Sequence, residues 1–155
     1  MQLLEIAPLI TAVALVISAI FVAVQLRNAR RDRFVAVTNE LFDIWQRPDF
    51  MTAQLWLIHD VTEDSWKEFL NRHGKEGETA FLRVTGFYNR VGALVTLGIV
   101  DERTILRTIG ATAYAVWAKT KPLIEGARTE NLALLREFEL LVPICESFLK
   151  GRSGG

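Results

Sequence analysis

The side chains with which this chain could do chemistry are few: two histidines, one cysteine and scattered carboxylates. His59-Asp60 with Glu63 and Asp64 carries metal-ligand donor types, but it falls at a junction between helical patterns. His73 with Glu76 and Glu78 falls in a turn that holds two glycines. Neither histidine has a partner placed on one helix face, as a helical metal site requires, so both groups read as solvated connections. Glu137/Glu139 and Asp101/Glu102 are acids one or two residues apart, which do not face each other on a helix, so a glycosidase-style pair is not expected. Cys145 lies in an apolar helical pattern and reads as a buried core thiol. Gly-x-Ser-x-Gly, Cys-x-x-Cys and His-Glu-x-x-His are absent from the sequence. Gly86, Gly92 and Gly98 lie within a helix pattern and are packing positions, not a phosphate loop. No haem ligand stands out. The expectation is a protein that is not an enzyme, with no catalytic residues, no cofactor and no metal.

The longest element is Ile6 to Val24, 19 residues without a charge. At helical rise it covers about 28 Å, close to the roughly 30 Å hydrocarbon core of a bilayer. A cleaved signal peptide is disfavoured by the acidic, lysine-free start and by the length of the run. A buried core helix is disfavoured because the run is apolar all round. The reading is a membrane-spanning helix, with Pro8 harmless in its first turn. Arg27, Arg30, Arg31 and Arg33 follow it, opposed by Asp32, whereas the other flank holds only Glu5. The positive-inside bias places the arginines and the domain beyond them in the cytoplasm. The expected location is a bacterial inner membrane, single-pass, with the N-terminus outside. Arg27, Arg30 and Arg31 can also touch anionic lipid heads. Small residues along the span, among them Ala12, Ala19 and Ala23, allow close approach of another helix.

Half the residues are apolar, and formal charge is balanced. Beyond the anchor remain roughly 120 residues, enough for one modest core. Residues 34–155 carry 14 basic and 16 acidic side chains. That balance offers no attraction to a phosphate backbone, so no nucleic-acid partner is expected. A single cysteine fits a reducing compartment.

Apolar spacing at three and four predicts helices throughout. Phe34, Val37, Leu41, Phe42 and Trp45 extend the anchor into one rod of about 60 Å or more, if no kink falls at the arginines. Pro48 ends that rod and starts a second helix, with Phe50, Leu55 and Ile58 inward. Thr62 is a candidate cap for a helix over 63–72, with Trp66, Phe69 and Leu70 inward. A turn over 71–77 follows. The next helix, 78–97, faces Phe81, Val84, Tyr88, Val91 and Val95 inward and stops at Gly98. Asp101 caps a short helix holding Ile105, Leu106 and Ile109, with Gly110 a candidate break. Tyr114, Trp117 and Ala118 mark the next helix, where Pro122 is a candidate kink. Thr129 is a candidate cap for a last helix up to Lys150, with Leu132, Leu135, Phe138, Leu141 or Val142, Cys145 and Phe148 inward and a bend at about Glu139, ahead of Pro143. Trp66 and Trp117 read as core. Trp45 and Trp56 flank the Pro48 turn and suit core or a lipid or partner contact equally. Arg128 is a candidate bridge to Glu40 or Glu130. The domains expected are 1–33 anchor and basic flank, 34–150 helical domain and 151–155 loose tail.

These residues resemble an uncharacterised bacterial family of small single-anchor membrane proteins, a domain of unknown function. The likeness rests on the anchor and basic stretch, on Trp45 to Phe50 with Ala53, and on Phe87-Tyr88-Asn89-Arg90-Val91-Gly92. It continues through Gly98-Ile99-Val100-Asp101, Gly110 and Trp117 to Arg128. Asp49 stands where that family more usually has Glu, and Asn89 where an acid is common. The resemblance implies a one-anchor helical protein and supplies no activity. The fold expected is all-α, a transmembrane helix continuing into a cytoplasmic bundle of about five to six helices. The function expected is a non-catalytic interaction or accessory protein, a small subunit stabilising a membrane complex. Its partners would be the lipid bilayer and another membrane protein or a second copy of itself. The alternative is a membrane-tethered sensor binding a small ligand or lipid, with a cavity near Tyr88, Tyr114 and Trp117.

Overall fold

Helical hydrogen bonding in α1 runs unbroken from Gln2 to Trp45. The computed structural model describes residues 2–129 and 134–153. Contacts divide the chain between Ala36 and Val37. In the first unit, every residue from Thr11 to Ala29 is exposed. Leu15 is 67%, Phe21 62% and Leu26 60% exposed, so these large apolar side chains have no protein cover. This helix is long and apolar enough to cross a membrane. Ala12, Ala19, Ala23 and Arg27 lie on its open surface. The side chains of Ile6 to Ile10, Arg30 and Arg31 lie outside the described residues.

The second unit is built from the end of α1 and four further helices: α2 (Pro48–His59), α3 (Trp66–Thr96), α4 (Glu102–Ala127) and α5 (Arg136–Ser153). α5 packs on α3 and α4, and α2 lies against the same two helices. No strand occurs among the described residues. Punctuation is local. Pro48 opens α2 with Asp49 in its first turn, where a missing N–H costs nothing and a negative charge meets the helix dipole. At the end of α3, Gly98 takes φ +64. Its N–H donates to Val95 O, and the Ile99 N–H donates to Leu94 O, the paired bonds of a Schellman stop. Asp101 accepts from the Thr104 N–H at 2.7 Å and so caps α4.

Fewer, longer helices occur than the spacing predicts. Gly110 does not break α4. Ile105, Leu106, Ile109 and Ala113 are buried on the same side, and that burial outweighs the roughly 1 kcal/mol that glycine costs within a helix. The turn expected over 71–77 shrinks to Gly74, whose φ of 57° and ψ of −151° kink α3. The helix before the kink begins at Trp66, not at Glu63, and Ser65 rather than Thr62 holds the cap position. The last helix begins at Arg136, after a left-handed Leu135 at φ 58°. Gly151 to Ser153 continue α5, while the end of the expected tail, 154–155, lies outside the described residues, as do Leu132 and Glu130.

The core takes Leu41, Phe50, Leu57, Phe69, Phe81, Val84, Tyr88, Val91, Ile105, Ile109, Trp117, Leu123, Phe138, Leu141 and Cys145. Trp66 is half-buried against it, stacked on Phe69 with ring centroids 5.5 Å apart. Two expected faces are rotated. In α2 the buried residues are Phe50, Gln54 and Leu57, while Leu55 is exposed. In α4 Tyr114 and Ala118 are exposed, and Ala113, Val116, Thr120, Leu123 and Ile124 turn inward with Trp117.

Two glycines separate steric from backbone constraint. A Cβ on Gly92 would lie 2.1 Å from the Glu137 carbonyl oxygen, whereas one on Gly74 would meet nothing within 4 Å. Gly92→Ala should cost about 1–3 kcal/mol by overpacking. Gly74→Ala should cost a similar amount, about 1–3 kcal/mol, through backbone strain alone. Urea unfolding measures the loss. Amide exchange should then speed up over 136–141 in the first variant and over 66–73 in the second.

Candidate functional site

An open groove of about 850 Å³ lies between α2 and α3, lined by Asp49, Ala53, Trp56, His59, Asp60, His73, Glu76 and Gly77, among others. It brings together both histidines and two of the acids, Asp60 and Glu76, that the sequence places in separate connections. His73 precedes the Gly74 kink and packs on aromatic rings, with centroids 5.0 Å from Trp56 and 5.1 Å from Phe69. Trp56 is half-buried and forms part of the groove wall. No group of three or more His, Cys, Asp or Glu side chains able to hold a metal ion occurs among the described residues.

Behind His73 stands Glu63, only 7% exposed, with Oε2 3.3 Å from His73 Nε2 and Oε1 2.9 Å from an Arg72 nitrogen. The Thr62 N–H donates to Glu63 Oε2 at 3.0 Å. Burial pushes the Glu63 carboxyl upward, but backbone N–H donors and His73 outweigh it and hold the group below its ordinary value. These bonds explain why 62–65 is not helical: the carboxylate is drawn towards residues ten positions on. At the groove's edge, Asp49 meets Arg83 at 3.2 Å.

A second polar set lies inside the core. The buried Tyr88 hydroxyl donates to the buried Gln54 Oε1 at 2.5 Å. The Trp45 indole N–H is within electrostatic reach of the same hydroxyl but outside hydrogen-bond geometry. Burial pushes the Tyr88 phenol well up, so it stays a neutral donor. Phe138 packs against both Tyr88 and Trp117, with centroids 5.2 and 5.1 Å away, and Tyr114 faces outward. The Asn89 Oδ1 accepts from the Phe138 N–H at 3.1 Å, an N-terminal cap for α5 supplied by another helix. Cys145 is fully buried, and burial pushes its thiol up to about 11.

Arg128 bridges, but not to Glu40, while Glu130 lies outside the described residues. Arg128 meets Glu139 at 2.9 Å and donates from Nε to Leu134 O at 2.9 Å. Glu40 instead takes Arg90 at 2.9 Å. Sequence reasoning missed Gln54, Asn89 and the role of Glu63. Gln54 left one signal, a polar residue midway between Phe50 and Leu57 at core spacing.

Fold and site define an all-α protein in which one helix apolar enough to span a membrane leads into a helical bundle. The chain belongs to the family described as Domain of unknown function (DUF4760), whose model matches residues 9–143. No curated protein and no solved structure matches it.

Glu63 stabilises the fold above its unfolded-state pKa, and that contribution is lost as pH falls through its depressed folded value. Glu63→Gln should therefore lower the melting temperature at pH 7, and the gap to the parent should close as pH falls below 4, measured by circular dichroism. Tyr88→Phe alone strands the Gln54 oxygen and should cost about 1–3 kcal/mol. Adding Gln54→Leu should recover most of that, and a double-mutant cycle measures the coupling.

Proposed function

We propose that this protein is a membrane-anchored interaction module, a non-catalytic accessory subunit that steadies a larger membrane complex. The observation that carries the reading is the exposed apolar surface from Thr11 to Leu26, which the protein itself leaves uncovered. Burying such a surface in lipid is strongly favourable. In this reading the helix crosses a bacterial inner membrane once. The four arginines keep its C-terminal end and the domain in the cytoplasm, and the N-terminus faces out. Ala12, Ala19 and Ala23 are spaced seven and four apart, which puts them on one helix face. There a second transmembrane helix, from a partner or another copy, could approach closely. A non-catalytic role is supported by the structural use of two polar groups of the domain, Tyr88 held by Gln54 and Glu63 held beside His73 and Arg72.

A second reading, a tethered sensor for a small ligand, is favoured by the α2–α3 groove, where Trp56 and His73 offer ring surfaces beside Asp60 and Glu76.

The experiment is extraction of the tagged protein from its native membranes in several mild detergents, followed by mass analysis. A companion membrane protein or a defined oligomer at fixed stoichiometry is expected. A lone monomer in every detergent would overturn the accessory reading. Release by alkaline carbonate would overturn the anchor. Cleavage of the domain by protease added outside spheroplasts would overturn the sidedness.

A further inference from the structure

Four arginines of the helical domain are each matched by a carboxylate: Arg72 by Glu63, Arg83 by Asp49, Arg90 by Glu40 and Arg128 by Glu139. Arg47, Arg136, Arg103, Arg107 and Arg152 have no such pair among the described residues, and the last three stand out by their position. These three converge on a pocket of about 580 Å³ between the start of α4 and the end of α5, together with Ser147, Phe148 and Gly151. No ion pair to any of the three occurs among the described residues. Of the nearby acids, Glu102 makes no ion pair among the described residues, and Asp101 feels the Arg103 charge without coming within ion-pair distance. Asp101 turns back to cap Thr104, and Glu146 takes Lys150 at 2.7 Å. The Arg152 guanidinium lies over the Phe148 ring, 6.0 Å from its centroid, which orients it without neutralising it. Arg103 and Arg107 are four apart on one helix face, where like charges repel. Arg103 also stands in the first turn of α4, where the helix dipole disfavours a cation. All three are exposed, so water screens this repulsion in part, and an anion seated among them would remove the rest.

We propose that this pocket binds a phosphate group, either free or as the headgroup of an anionic lipid. Guanidinium forks match the oxygens of a tetrahedral phosphate, and several can share one dianion. The Ser147 hydroxyl adds a donor type suited to the same oxygens. The site is independent of the α2–α3 groove and of the accessory role argued above.

The test uses the full chain. In neutral detergent micelles, inorganic phosphate is titrated against chloride at equal ionic strength, and the melting temperature is followed. A saturable rise specific to phosphate is expected. In Arg103→Gln/Arg107→Gln the apparent affinity should fall at least tenfold, while the phosphate-free melting temperature stays the same or rises, because the repulsion is relieved. A merely structural role for these arginines would lower it. The source is then read in nanodiscs by hydrogen exchange over 147–152. Slower exchange in phosphatidylglycerol than in phosphatidylcholine discs, lost in the variant, assigns the site to a lipid headgroup. Equal exchange in both, with the response to free phosphate retained, assigns it to a soluble phosphate. No saturable response in micelles together with equal exchange in both discs would overturn the proposal. So would a response that the double variant keeps.

Discussion

The first turn of α5 rests on the backbone of α3 at Gly92, where no side chain intervenes. Everything else in the domain is arranged around that approach. One turn of α3, Tyr88 to Gly92, holds the means to fix it. Tyr88 stacks on Phe138, Asn89 caps the Phe138 N–H, and Val91 is buried. The same turn reaches the other way through the Tyr88 hydroxyl to Gln54 of α2 and through Arg90 to Glu40 of α1. The close approach also accounts for Leu135, a non-glycine residue held in left-handed geometry at a cost of about 1–2 kcal/mol. Its side chain is buried, and the chain must turn sharply there to lay α5 against α3.

The sequence exposes those parts of the fold that depend on local chemistry. Pro48, Gly98 and Asp101 each act on their immediate neighbours, so their roles can be read without knowing what packs nearby. The long stripe from Phe81 to Val95 is legible because every member is apolar. Where tertiary contact overrides local preference, the sequence is silent or misleading. Gln54 occupies a core position only because a tyrosine hydroxyl from another helix satisfies it, and its polarity turns the inferred face of α2 towards Leu55. Gly110 stays helical because its neighbours are buried. Gly74 marks a break, but not that a single residue could carry it.

The same division governs the polar residues. Asn89 stands at the head of α5, where its oxygen accepts from a helix N-terminus, a place that favours negative charge. His73 and Glu63 are ten residues apart and meet because the chain before Trp66 leaves helical geometry and turns the carboxylate back along the first helical segment of α3. Arg103, Arg107 and Arg152 come from two helices and gather by docking alone. Nothing in their sequence spacing shows that they share one pocket.

The reliance of α3 on α5 also sets an order of events during synthesis. Asn89 and Phe138 are 49 residues apart in the chain. While a ribosome is still making the stretch between them, α3 can form as a helix, but the aromatic face around Tyr88 has nothing to close over it. The domain is therefore completed late, when the C-terminal helix emerges. Until then the nascent chain carries a sticky flank that must be shielded from its neighbours.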